Sequence, residues 1–279
     1  MPGKNRRRPP SGIARAAYGW RLGVILVAAL AVLAADGWWL VRTRAAARET
    51  PGVAIAETAS QASSLTSAKA TFTTQVVGVT TMFGRVREQL RPHRVTLTMT
   101  EVDGADRFPV SELVTDTAVY LRIPALAGPV GKPWLSVPLT ELTADPAISG
   151  LYQTAAIPTL DAALVGTAST VRAAGTQLLD GVQTHRYVGL IDPVTALRKL
   201  PRPARQLLAP ELAGATGELR FVVWIDGRHD LRKFQADALL RGLMVVTTVV
   251  VTAVDARVHI NVPAAGLVAA GWGSGPPAG

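Results

Sequence analysis

The chain contains no cysteine. This excludes a disulfide framework, a thiolate metal site, a thiol nucleophile and an anchor carried on a lipidated cysteine. Histidine is scarce as well: four residues, at 93, 185, 229 and 259, show no metal-ligand spacing and no pair at i, i+4. Aromatics make up 5% and charged residues 18% of 279 residues, against 48% hydrophobic. Such a chain is too apolar to be disordered and long enough for one domain with attachments.

The formal net charge of +9 suggests nucleic acid until it is divided along the sequence. Residues 1–49 hold nine Lys/Arg against Asp36 and Glu49, which leaves twenty basic and eighteen acidic residues for the remainder. A nucleic-acid binder carries its excess on a folded face with stacking aromatics or a groove-reading helix. The near-neutral body therefore gives no nucleic-acid partner.

From Leu22 to Val41 the sequence LGVILVAALAVLAADGWWLV contains one charge, Asp36. A helix of that length spans about 30 Å, the thickness of a bilayer core. Lys4, Arg6, Arg7, Arg8, Arg15 and Arg21 precede it without an acid, so the positive-inside rule keeps residues 1–21 cytoplasmic and the body outside. Trp20 and Arg21 at one end and Trp38 and Trp39 at the other fit the two membrane interfaces. A cleaved signal peptide is the competing reading, with Leu22 to Ala35 as its apolar region. Both readings export the body and place it at the cell membrane or beyond.

After a polar linker over residues 42–52, Ile55, Ala59, Ala62 and Leu65 recur at helical spacing. The period then changes to two. In Val95 to Thr100 apolar and polar residues alternate, placing Val95, Leu97 and Met99 on one strand face. Val119, Leu121 and Ile123 follow the same pattern, as does the segment Val258 to Val262, while Phe221 to Ile225 and Leu243 to Val254 are more continuously apolar and the latter reads as a strand buried on both faces. Segments 158–165, 193–200 and 204–212 read as short proline-bounded helices. Asp226-Gly227 marks a hairpin, and Asp103 and Asp106 flank Gly104 in another turn. The expected fold class is α+β with one dominant, strongly curved antiparallel β-sheet.

No catalytic constellation emerges. Gly128 to Lys132 has glycines too close together for a phosphate loop, and Pro133 stands where Ser or Thr would hold magnesium. Gly273-Ser274-Gly275 lies in a low-complexity tail without a preceding strand. His185 reads as a hydrogen-bonded strand residue, and Trp134 and Trp224 as core anchors. The expectation is a non-enzyme with no metal and no cofactor.

Four segments together resemble actinobacterial envelope lipoproteins of the LppX/LprG type. They are Ala118 to Pro124 followed by Gly131 to Leu135, Leu179 to Asp192, Val223 to Lys233, and Val258 to Pro263. The resemblance implies a LolA-like half-barrel whose concave face is covered by short helices and encloses an apolar cavity for acyl chains of lipids or lipoglycans. It implies a lipid-binding domain over residues 53–263 and a disordered tail over 264–279. The lining expected from alternation is Val95, Leu97, Met99, Val119, Leu121, Ile123, Phe221, Val223 and Ile225. Without the lipidated cysteine usual in that family, the tether falls to one transmembrane helix at 22–41. A non-catalytic ectodomain that binds an envelope protein is the alternative.

Overall fold

The computed structural model describes residues 50–124, 131–139 and 157–270. The expected cytoplasmic tail, the apolar span 22–41 with Trp20, Arg21, Trp38 and Trp39, and residues 271–279 lie outside the described residues. Among the described residues no helix is long and apolar enough to cross a membrane.

Helix α1 (Pro51–Ser64) starts with proline in its first turn, where the missing N–H has no cost. Of the expected stripe Ile55 and Ala62 are buried, Ala59 is half-buried and Leu65 is buried just past the helix end, while Ala54 and Thr58 are buried in addition. A meander follows: β1 (Ser67–Val76), β2 (Thr80–Leu90), β3 (His93–Asp103), β4 (Asp106–Thr115), β5 (Ala118–Arg122) and β6 (Trp134–Pro138). After α2 (Pro158–Val165) come β7 (Thr170–Leu179), β8 (Val182–Ile191), α3 (Pro193–Lys199) and α4 (Arg202–Gly214). A second meander, β9 (Ala215–Asp226), β10 (Leu231–Leu240) and β11 (Leu243–Val254), precedes a short 3-10 turn at Ala265–Leu267 and β12 (Val268–Ala270).

These strands form one 12-stranded sheet in the order β12-β6-β5-β4-β3-β2-β1-β11-β10-β9-β8-β7. Two meanders thus meet along a single seam, the antiparallel ladder that pairs Phe72 with Val249 and Thr74 with Thr247. An open sheet of this breadth curls rather than lying flat. Register shifts at Lys69/Ala70, Leu231/Lys233 and Asp237/Leu239 supply bends at and beside the seam. At the β10–β11 connection Arg241 and Gly242 both have positive φ, 49° and 82°, the two-residue turn whose twist matches that of the strands it joins.

One face of the sheet carries the core. Buried residues of β1 to β6 and β8 to β11 pack with Ile55 of α1, Leu160 and Leu164 of α2, Ala196 of α3, and Leu207, Leu208 and Leu212 of α4 in one cluster. The chain supplies few large aromatics, so Val, Leu and Ala fill most of this space, with Phe221 and Phe234 the largest fully buried side chains.

Three expectations need correction. The sheet is not wholly antiparallel: β12 runs parallel to β6, pairing Val268 with Trp134. The tail expected to be disordered from residue 264 is therefore structured through residue 270. Val258 to Val262 does not form a strand despite its alternation. Both flanks of β2 are already occupied by β1 and β3, so this segment is held by side chains instead. Gln89 Oε1 accepts from the Ile260 amide at 3.1 Å, and Arg94 donates to the Ile260 carbonyl at 2.7 Å. Ile260 itself is buried.

Candidate ligand site

The register arranges the covered face in cross-strand rows. One runs Leu121–Glu112–Leu97–Val86–Ala70–Val251, spanning both meanders. The next runs Met99–Gly84–Phe72–Val249–Phe234–Val223. Val119 pairs with Val114, which pairs with Val95. Phe221 stands opposite Ala236, and Ala236 opposite Thr247. Residues chosen from strands far apart in sequence therefore share one face.

Of the nine expected lining residues, Val95, Leu97, Met99, Val119, Leu121, Phe221, Val223 and Ile225 all belong to the buried cluster. Ile123 lies beyond the end of β5 and is half-buried. All eight share that cluster with side chains of the helices. Among the described residues, open space lies toward the second meander, beneath α2 and α4. There a cavity of about 50 Å³ is lined by Asp161, Leu164, Leu208, Glu211, Leu219, Phe234, Ala236, Val245 and neighbouring residues. A buried water needs roughly 10–15 Å³ by this measure, so the cavity holds a few waters or a small chemical group. Drug-sized ligand sites are several times larger, about 300 Å³ and above. A second void of about 10 Å³ lies where Thr58, Gln61 and Leu65 meet His229 and Asp230.

Sequence reasoning missed the acids on this face. Glu88 is fully buried and accepts from the backbone N–H of Thr159 at 3.4 Å and from the Thr159 hydroxyl, so a strand carboxylate caps the first turn of α2. His93 Nε2 stands 3.5 Å from Glu88 Oε1, and this hydrogen bond, followed by the negative charges of Glu88 and Asp116, raises the imidazole pKa against the opposing effect of burial. Glu112 is 1% exposed, between Leu97 and Leu121 in its row. Asp161 is 2% exposed on α2, and its Oδ2 has no hydrogen-bond partner. Burial, then the neighbouring carboxylates of Glu211 and Glu88, push the Asp161 carboxyl well above the usual carboxylate range. The only sequence signal was an acid interrupting an apolar pattern, as in PTLDAALV.

Elsewhere the residues weighed for chemistry serve structure. His185 pairs with Thr176 and Ile225 within the sheet. Trp224 is buried; its indole N–H donates to Gln177 Oε1 at 2.7 Å, and Lys233 Nζ sits 4.6 Å from its ring centroid. Asp226 organises the turn expected at Asp226-Gly227: its Oδ1 accepts from the amides of Arg228 and Asp230, and its Oδ2 from Arg232 Nε at 2.7 Å. Among the described residues there is no group of three or more potential metal ligands. Exposed apolar side chains gather at two adjacent hairpin ends, Val77 and Val79 after β1 and Leu239 and Met244 flanking the β10–β11 turn. The Val77 amide donates to the Met244 carbonyl at 3.4 Å, which joins the two ends.

No family model and no curated protein matches the chain. Solved structures with a similar course include the Mycobacterium tuberculosis lipoprotein LppX, 19% identical over 75% of this chain and 98% of that one, with a TM-score of 0.46. LprF from Mycobacterium bovis is 15% identical over 77% of this chain and 100% of its own, with a TM-score of 0.47. A LolA superfamily protein from Nitrosomonas europaea is 9% identical over 77% and 96%, with a TM-score of 0.26.

Proposed function

We propose that this protein is a non-catalytic, LolA-like carrier that holds acyl chains of a lipid or lipoglycan between its sheet and its helices, outside the cytoplasm and tethered by residues 22–41. The observation that carries this reading is the covered face itself: a single broad sheet, apolar over both meanders, closed by short helices rather than by a second sheet. The remaining cavity, beneath α2 and α4, is mostly apolar. Each methylene moved from water into such surroundings contributes about 0.8 kcal/mol. At about 50 Å³ this cavity does not hold an acyl chain as it stands, so a chain enters it only if α2 and α4 move away from β9–β11. Both helices begin with proline in the first turn and are short, which suits displacement as units.

The apolar hairpin ends Val77, Val79, Leu239 and Met244 favour a second reading, in which the same fold docks an envelope protein. Native mass spectrometry of the full-length purified chain separates the two. Co-purified lipid released on unfolding supports the carrier. A folded, lipid-free protein that stays lipid-free after exposure to vesicles refutes it and leaves protein docking.

A further inference from the structure

Asp161 is the odd residue in the cavity beneath α2 and α4. Leu164, Leu208, Leu212, Leu219, Phe234 and Val245 present hydrocarbon to that space, yet a carboxyl group 2% exposed stands in its wall with Oδ2 bonded to nothing. A buried polar atom without a partner is destabilising, so its retention in a mostly apolar wall needs a reason. Packing is not that reason, since a leucine would fill the space without the penalty. Glu211 lies in the same wall, on α4.

We infer that this cavity is a head-group subsite, in which Asp161 hydrogen-bonds an uncharged hydroxyl of the bound lipid while the acyl chain lies outside it, between sheet and helices. The inference rests on the carrier reading and adds the class of head group to it. A neutral carboxyl both donates and accepts, which matches a hydroxyl, itself donor and acceptor. Burial and the carboxylates of Glu211 and Glu88 favour that neutral form. The same two acids disfavour an anionic head, whose charge would be buried against theirs. A free fatty acid or a phosphate-bearing lipid is therefore the less favoured occupant of the subsite. The size agrees: about 50 Å³ suits one or two hydroxyl-bearing carbons and not a chain.

The test uses the full-length chain in phospholipid vesicles and four photoactivatable probes with one diazirine-bearing chain: a monoacylglycerol, an alkyl glucoside, a fatty acid and a primary amine. Labelled peptides are located by mass spectrometry. The glyceride, the glucoside or both should label α2 or β10–β11 about tenfold more than the acid or the amine, the worth of one hydrogen bond to a buried carboxyl. Asp161→Leu should abolish that preference, and Asp161→Asn, which still donates and accepts, should keep most of it. Should Asp161→Leu fail to fold, the wild-type preference and the Asp161→Asn result decide. Strong labelling indifferent to head group, or strongest with the acid or amine, overturns the head-group assignment and leaves the carrier reading standing. No labelling of these peptides by any probe, in a chain that also carries no lipid, overturns both.

Discussion

The ring of Phe221 lies over Gly189, its partner across the β8–β9 ladder, so closely that a Cβ on Gly189 would come within 2.6 Å of the ring and also meet the Thr170 carbonyl. The glycine makes room for one of the two largest fully buried side chains. Gly189→Ala should lower unfolding stability by about 1–3 kcal/mol, as other overpacking changes do. Gly227→Ala, where a Cβ meets nothing within 4 Å, is the control and should stay within about 0.5 kcal/mol in a urea titration.

Leu97 and Ala236 separate packed core from ligand space. Leu97 is 0% exposed in a filled row, and Leu97→Trp should cost about 1–3 kcal/mol, whereas Thr98→Trp on the exposed face should cost little. Ala236 faces the cavity, so Ala236→Leu fills space that is already empty. Thermal melting should show Ala236→Leu unchanged or raised, while lipid recovered by mass spectrometry falls. Lipid recovery equal to wild type would move the ligand elsewhere.

His93 links stability to pH. Its pKa is raised mainly by the hydrogen bond to Glu88, with Asp116 at 3.6 Å adding to it. The protonated imidazole is favoured more in the folded than in the unfolded chain. Its contribution is therefore fully present below the ordinary histidine value of 6.5 and is lost as pH rises through the folded-state pKa above that value. Urea midpoints across about pH 5 to 8 should decline through that window, and His93→Gln should flatten the decline. An identical slope in the variant would show that other groups carry it.

Arg232 closes the β9–β10 turn through two contacts to Asp226 Oδ2, at 2.7 Å from Nε and 2.6 Å from the terminal nitrogen. Asp226 is 5% exposed. Arg232→Leu strands that carboxylate and should cost about 3 kcal/mol, the low end for a broken buried pair because the arginine is partly exposed. Adding Asp226→Asn should recover part of the loss, and a double-mutant cycle without coupling would contradict the pairing.

The charge asymmetry before Leu22 predicts the topology. A reporter enzyme fused after Gly279 should be active only outside the cytoplasm. Cytoplasmic activity would reverse the assignment. A mature N-terminus beyond residue 30 would point to cleavage in place of a tether.

Strand faces were legible where polar and apolar residues alternate cleanly, as for Val95, Leu97 and Met99 on β3; Leu243 to Val254 is β11 over its whole length, but with Met244 and Thr252 exposed it is not buried on both faces. The helix Pro158–Val165 was placed correctly by its proline. Alternation fixes which face is inward but not what lies against it. Whether helix side chains or ligand meet Leu97 depends on segments far away in sequence. β1 and β2 were harder to see, because SAKATFTTQV mixes small and hydroxyl residues and β2 ends its inward series with Glu88. The false strand at Val258 to Val262 has the right pattern but no free neighbour to pair with. Asp161 could not be weighed at all until α2 and α4 were seen to frame a void.

The seam between β1 and β11 also bears on synthesis. Ala68 must find Val254, and Thr66 donates backbone and hydroxyl groups to Asp255, across nearly the whole body of the chain. The first meander is complete long before its seam partner leaves the ribosome, and its hairpins are local enough to form at once. For that interval β1 is an unprotected edge beside an uncovered apolar face, the arrangement most prone to pairing with the wrong chain. A chain exported before folding would reach both meanders at once on the far side of the membrane. The topology thus gives a physical advantage to delaying folding until Val254 is available.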